Sequence, residues 1–203
     1  MSTQTPRTDR AARISARQAR LQIIEATTRL LEERRFRDLT VAEVMSEAGL
    51  ARTVFYRHFD SISDIVLGLL DELLSKIIAE ADLGDPHDRQ ILRRQLALVV
   101  ETFREHGRLL LAFDEAAHHD DNIERVYRAW VEQTVDLAAQ LLERGVREGH
   151  TPPLPAYEVA RALTAMNARY LLDLIARDPV FDVDAALAAL WTVWARTTWP
   201  ESE

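Results

Sequence analysis

Apolar positions recur along this chain at the three-to-four residue spacing of helices, and no run alternates with the period of a strand. The first predicted helix runs from about Arg13 to Arg34, with Leu21, Ile24, Thr28 and Leu31 on one face. Thr40-Val-Ala-Glu43 reads as a capping box: the hydroxyl meets an orphan amide of the second helix and Glu43 reaches back. Gly49 stops that helix, because glycine adopts the left-handed backbone of a helix terminus freely. A short third helix covers about Arg52 to His58. Ser61-Ile-Ser-Asp64 is a second capping box and opens a fourth helix reaching about Ala81. Its broad apolar face, from Ile62, Ile65 and Val66 through Leu74, Ile77 and Ile78, is wide enough to bury against more than one neighbour.

Asp85-Pro86 supplies an N-cap and a proline at the first helical position for the fifth helix. That helix carries Leu92, Leu96, Val99, Val100 and Phe103 and stops near Gly107. A short sixth helix covers about Arg108 to Ala117. The seventh is long, about Asn122 to Glu148, with Ile123, Val126, Tyr127, Trp130, Thr134, Leu137, Leu141 and Leu142 on its stripe. The segment GHTPPLP, Gly149 to Pro155, is the strong linker signal. An eighth helix follows to about Arg177, ended by Asp178-Pro179, and a ninth spans Val183 to Thr198. The expectation is an all-α protein of about nine helices without internal repeats.

Charge divides the chain unevenly. The formal net charge of the 203 residues is −8, yet residues 1–60 carry +3 and residues 61–203 carry −11. A basic first quarter on an acidic body suits a polyanionic partner for that quarter alone. A solvated arginine-rich tail is the plainer reading of the same charge. Residues 1–12, polar and dotted with Arg7 and Arg10, are expected to form a flexible arm. Cysteine is absent, so neither a disulfide framework nor a thiolate metal site is available. No apolar run has the roughly 20 residues of a membrane span, and a cytoplasmic location is the default expectation.

The stretch LTVAEVMSEAGLARTVFYRHF, Leu39 to Phe59, concentrates donors and rings on a small scaffold. Two short helices around a tight turn form the helix-turn-helix unit, whose second helix enters the major groove of duplex DNA. Arg52 can bond guanine bidentately or neutralise a phosphate. Thr53 suits a base edge, a phosphate or a thymine methyl. Tyr56 and His58 can donate to phosphate oxygens, and Arg57 adds a cation beside them. Phe55 and Phe59 face inward and seat the helix on the first one. The Thr40 hydroxyl and the amides beside it can hold a phosphate at a helix N-terminus.

The first helix, the pattern T-x-x-E-V-x-x-x-A-G-L and the pattern x-F-Y-R-H-F-x-S together resemble the DNA-binding domain of TetR-like transcriptional regulators, over about Arg17 to Ile77. The stretches VVETFREHG, LPAYEVARALTAMNARYL and LWTVWARTTW are similar to the ethionamide-resistance regulators within that family, over about Leu92 to Trp199. The resemblance implies a helix-turn-helix domain over 13–60 and an effector-binding and dimerisation domain over 61–203. It also implies a homodimeric repressor of a palindromic operator, released by an apolar small-molecule effector. Three positions depart from the family pattern. Ala51 stands where a serine usually opens the recognition helix, Val54 where threonine is usual, and Ile62 where lysine follows the serine of the fourth helix. Two hydroxyls and one cation are missing, and each lost ionic contact flattens the salt dependence by about 1 in log–log slope. Arg52, Arg57 and the arm's Arg7, Arg10 and Arg13 are the available compensation.

In the body, Asn167 lies on the stripe Leu163, Met166, Asn167, Tyr170, Leu171 and Leu174. A buried amide needs partners or costs about 1–3 kcal/mol. It bonds helix backbone or water, or it anchors a ligand in an apolar pocket. Phe103, Phe113, Tyr127, Trp130, Met166, Tyr170 and Trp194 are candidates for the wall, and the resemblance places Phe103, Asn167 and Trp194 at pocket positions. A chamber among the fourth, fifth, seventh and eighth helices is expected. The eighth and ninth helices are the expected dimer interface, a four-helix bundle about a two-fold axis. His118-His119-Asp120-Asp121 has the wrong spacing to converge on one ion and reads as solvated helix caps, and no cofactor is expected. The alternative function, a lipid carrier or small helical enzyme using the chamber, lacks any recognisable set of acid, base and nucleophile.

Overall fold

A computed structural model describes residues 7–80 and 88–199. Among them are eight α-helices and one short 3-10 turn, and no strand. Helix α1 spans Arg7–Glu33, followed by the 3-10 turn Phe36–Asp38, α2 Val41–Glu47 and α3 Arg52–Phe55. Helix α4 spans Ile62–Glu80, α5 Arg89–Ala117, α6 Asp121–Arg147, α7 Ala156–Arg177 and α8 Val183–Thr198. The first six residues of the expected arm, the end of the fourth predicted helix at Ala81 and the Asp85-Pro86 cap lie outside the described residues, as do the side chains of Leu74, Ile77 and Ile78. Within the expected arm, the backbone is already helical from Arg7.

Both capping boxes form. The Thr40 hydroxyl accepts from the Glu43 amide at 3.3 Å while the Thr40 amide donates to Glu43 Oε2 at 3.0 Å. The Asp64 amide donates to Ser61 Oγ at 3.3 Å, and Asp64 Oδ2 accepts from the Ser61 amide at 2.9 Å. Gly49 takes a φ of +67°, and the turn closes with the Leu50 amide on the Met45 carbonyl. The core of this head is Ile23, Val44, Met45, Phe55, Phe59 and Ile65, all buried. Phe55 and Phe59 therefore face inward as expected. The α1 face differs from the periodicity reading by a register shift. Ile23, Ala26, Thr27 and Leu31 are buried, whereas Leu21 is 47% exposed. Thr27 is accommodated inside because its hydroxyl donates to the Ile23 carbonyl at 2.8 Å.

Two further expectations are corrected. The third helix ends at Phe55 rather than His58; Arg57 and His58 donate instead to Val54 and Phe55 carbonyls three residues back, a tighter turn. The expected break at Gly107 does not occur, and the fifth and sixth predicted helices are one helix of 29 residues. Gly107 is interior to α5 because α7 passes close there. A Cβ at that position would lie 2.6 Å from Ile175 Cδ1, so the missing side chain makes room for a neighbour and does not mark a stop. Helix α5 is the central rod of the body: α1, the 3-10 turn, α4, α6, α7 and α8 all pack on it. Asp88, Asp120 and Asp182 cap α5, α6 and α8 through their side chains, so the N-termini follow local sequence chemistry closely.

Candidate nucleic-acid interface and body pocket

The outer surface of the head is built from the residues between Thr40 and His58. Phe55 is fully buried, and from it the side chains of Arg52, Thr53, Tyr56 and Arg57 point to solvent, with His58 half-buried. Tyr56 is 54% exposed although it is a large ring. Its edge meets Phe55 with centroids 5.4 Å apart, so the ring stands upright on the core residue. Arg52 Nη2 donates to Tyr56 Oη at 3.4 Å, a long bond that brings cation and phenol to the same strip of surface. The Arg20 guanidinium of α1 lies over the Phe59 ring at 5.1 Å, and together with Tyr56, Arg57 and His58 it borders a polar cleft. Sequence periodicity did not single out Arg20, because its neighbour Phe59 is remote in the chain.

Thr40 is differently engaged. Its hydroxyl donates to Glu43 Oε2 at 2.7 Å, and Arg34 Nη1 reaches Glu43 Oε1 at 2.6 Å. The Thr40 hydroxyl, then the Arg34 guanidinium, hold the Glu43 carboxyl below the usual glutamate range, and the same pairing raises Arg34. The N-terminus of α2 thus already holds a carboxylate, and a phosphate there would have to displace it. The arms of this network tie α1 to α2, as does the Arg29–Glu47 pair at 2.9 Å.

The body contains a partly enclosed pocket of about 170 Å³ with predominantly apolar walls. Four of the eight residues expected at a ligand site line it: Phe103, Trp130, Asn167 and Trp194. The other four lie outside it. Phe113 is fully buried in the head-facing half of α5, Tyr127 packs one turn from Trp130, and Met166 and Tyr170 are half-buried on α7 beside Asn167. The pocket's described lining comes from α5, α6, α7 and α8, and the side chains of α4 that would complete the expected chamber, Leu74, Ile77 and Ile78 among them, lie outside the described residues. Missed residues include Gln95, Thr102 and Thr164, whose polar side chains gave the apolar stripe reading no signal, while Thr134 lay on the expected stripe without being read as wall.

Asn167 is buried with a defined partner. Trp194 Nε1 donates to its Oδ1 at 3.1 Å, which fixes the amide orientation because an indole nitrogen only donates. Thr102 and Thr134 donate their hydroxyls to the Leu98 and Trp130 carbonyls at 2.8 and 3.1 Å, so they present oxygen lone pairs rather than free donors. No charged side chain is among the described lining residues. The HHDD loop forms caps: Asp120 Oδ1 accepts from the Asn122 and Ile123 amides, and His118 Nδ1 meets the Asp114 carbonyl oxygen. No metal-ligating cluster occurs among the described residues. No described helix is long and apolar enough to cross a membrane.

A two-helix reading head with an exposed polar recognition face, seated on an all-helical body, defines the class of helix-turn-helix transcriptional regulators. The comparisons narrow the class. Residues 23–69 match the model of the bacterial regulatory proteins of the tetR family, and residues 92–199 match that of the transcriptional regulator EthR, C-terminal domain. The HTH-type transcriptional regulator EthR of Mycolicibacterium smegmatis is 26% identical over 200 residues, covering 95% of this chain and 91% of that one. EthR of Mycobacterium tuberculosis H37Rv is 26% identical over 208 residues, covering 97% and 94%. Among solved structures, the TetR family transcriptional regulator PfmR from Thermus thermophilus superimposes with a TM-score of 0.72 at 18% identity, covering 89% of this chain and 99% of that one. The chain belongs to the TetR family of transcriptional regulators, with a C-terminal domain of the EthR type. The family is one of transcriptional regulators, so the enzymatic alternative is set aside.

Proposed function

We propose that the protein is a homodimeric repressor that reads a palindromic operator and is released when an apolar small molecule fills the body pocket. The observation that carries this reading is the strip formed by Arg52, Thr53, Tyr56 and Arg57, exposed on one side of a core that grips Phe55 and Phe59. In this reading Arg52 and Thr53 meet base edges, and Tyr56, Arg57 and His58 meet phosphates. Thr40 keeps its hydroxyl for Glu43 and serves the interface as a cap. A single head of this size binds weakly, and two heads joined rigidly act at high effective concentration when spaced for successive major grooves about 34 Å apart.

Helices α7 and α8 supply the join. On α8 the exposed positions Ala185, Ala188, Ala189, Thr192, Val193 and Arg196 recur at helical spacing, and on α7 Ala162 and Ala165 do the same. Small side chains on two neighbouring helices let a twofold-related pair approach closely. The pocket, with its apolar walls and uncharged polar groups, suits a neutral apolar effector, since an unpaired buried charge is costly. A cytoplasmic location follows from DNA as the partner.

The test is titration of the purified protein onto DNA from its own upstream region at two salt concentrations. Arg52→Ala is expected to weaken binding about tenfold, as the loss of a bidentate base contact worth roughly 1–3 kcal/mol requires. Tyr56→Phe is expected to weaken it less and equally across sequences. Wild-type affinity in both variants defeats the assignment, and ligand binding without any change in DNA affinity favours a carrier.

A further inference from the structure

Two indoles stand in the wall of the body pocket, and their protons are not in the same state. Trp194 Nε1 donates to Asn167 Oδ1 at 3.1 Å. Trp130 Nε1 is also buried, yet it meets no hydrogen-bond acceptor among the described residues. The place of this ring follows from α6, on which Trp130, Thr134, Leu137, Ala138 and Leu141 recur at helical spacing and all line the cavity. The Tyr127 ring, outside the lining, packs on the same indole with centroids 5.8 Å apart. Thr102 and Thr134 spend their hydroxyl protons on the Leu98 and Trp130 carbonyls, and Asn167 Oδ1 is taken by Trp194. An indole nitrogen donates one proton and accepts none, so only an acceptor can satisfy it. Buried donors without one are rare in folded proteins, because nothing repays their removal from water. No charged side chain is among the described lining residues, so an acceptor entering this cavity comes on an uncharged molecule.

We propose that Trp130 Nε1 is the group that selects the effector: it donates to the oxygen of a neutral carbonyl compound, a ketone or ester with apolar arms. The ring presents its N–H to that oxygen by turning about χ2, a torsion with a broad profile in tryptophan. A hydrocarbon of the same shape fills the space and leaves the proton unpaired. A site with a buried donor rejects such an analogue far more strongly than an apolar wall rejects a change in size. The inference rests on the ligand-responsive reading above and names the chemical class of its ligand, and its failure is separable from the failure of that reading.

The test uses the full chain, with displacement of the neutral apolar dye N-phenyl-1-naphthylamine as the readout. The probes are butyrophenone and butylbenzene, which differ by a carbonyl in place of a methylene. The ratio of their affinities, ketone over hydrocarbon, is expected to fall about tenfold in Trp130→Phe, as removal of the donor to a buried carbonyl requires. The ratio cancels the effect of the smaller ring on the shape of the cavity, since both probes feel it. An unchanged ratio in a folded Trp130→Phe protein overturns the inference, and a carbonyl held by the Asn167 amide gives that result. Should Trp130→Phe not fold, proton–nitrogen NMR of the isotope-labelled unmodified chain decides. Butyrophenone is expected to move the Trp130 indole proton downfield, and butylbenzene is not. A resonance that responds alike to both probes overturns the inference, as does failure of butyrophenone to displace the dye. Butyrophenone that binds through Trp130 and leaves affinity for the upstream DNA unchanged overturns the regulatory reading and supports this one.

Discussion

The head and the body are both helical, yet they solve opposite packing problems. In the head, six buried residues from α1, α2, α3, α4 and the turn after α3 close a small core around Phe55, the starts of α2 and α4 are tied by capping boxes, and ion pairs from Arg29 and Arg34 hold α2. In the body, four long helices leave about 170 Å³ open between them, with Asn167 and Trp194 satisfying each other at its wall. A reading element must hold its side chains to fractions of an ångström, and dense packing provides this. A sensing element must give when something enters. The difference teaches that rigidity is placed where geometry is read, and slack where it is to be changed.

The largest expected break of that contrast is Phe55→Ala. Removing the fully buried ring from so small a core is expected to cost about 3–5 kcal/mol, since few neighbours can collapse into the space. Denaturant unfolding should show the loss, and DNA binding should go with it, while dye binding to the body pocket persists. Gly107→Ala asks the same question of the body, away from the pocket. Helix propensity favours alanine by about 1 kcal/mol. The new methyl, however, meets three atoms of Ile175 at 2.6–3.0 Å, and overpacking of that kind costs about 1–3 kcal/mol. Net destabilisation of about 1 kcal/mol is expected, with Ile175→Ala in the same chain relieving it. A more stable Gly107→Ala protein would mean that α5 and α7 slide apart easily, and the body would then be soft beyond its pocket.

The same division decides what was legible in the sequence. Local chemistry was legible wherever it acted within one turn: Thr40 with Glu43, Ser61 with Asp64, Gly49 with its positive φ, and α8 from Val183 to Thr198. The inward Phe55 and Phe59 and the outward Arg52, Thr53, Tyr56 and Arg57 were legible for the same reason. What depended on remote neighbours was not. Gly107 reads as a stop until Ile175 of α7 is seen to occupy its side-chain space. Leu21 and Ile23 are equally apolar in sequence, and only the elements that pack on α1, α2 among them, decide which is buried. The stripe around Asn167 holds Met166 and Tyr170 as plausibly as Asn167, and only the Trp194 indole, 27 positions on, selects the residue at the wall.

The smallest expected effect sharpens the comparison most, because it isolates how the head is tied. The Glu43 carboxylate holds the Thr40 amide and hydroxyl and the Arg34 guanidinium, joining α1 to the start of α2. Thr40→Ala should cost about 1 kcal/mol, the usual value of a lost N-cap. The pH dependence has a definite sign. The folded-state value of Glu43 is lowered, by the Thr40 hydroxyl first and Arg34 second, so its contribution is full above the ordinary glutamate value and is lost as pH falls through the folded value. Glu43→Gln should therefore be less stable than the wild type at neutral pH, and the two unfolding curves should converge as acid protonates Glu43. Arg34, raised in the same pair, keeps its charge throughout that window. A stability gap that stays constant from neutral to acid pH would mean that the carboxylate charge adds nothing, and that the head is held by packing around Phe55 alone.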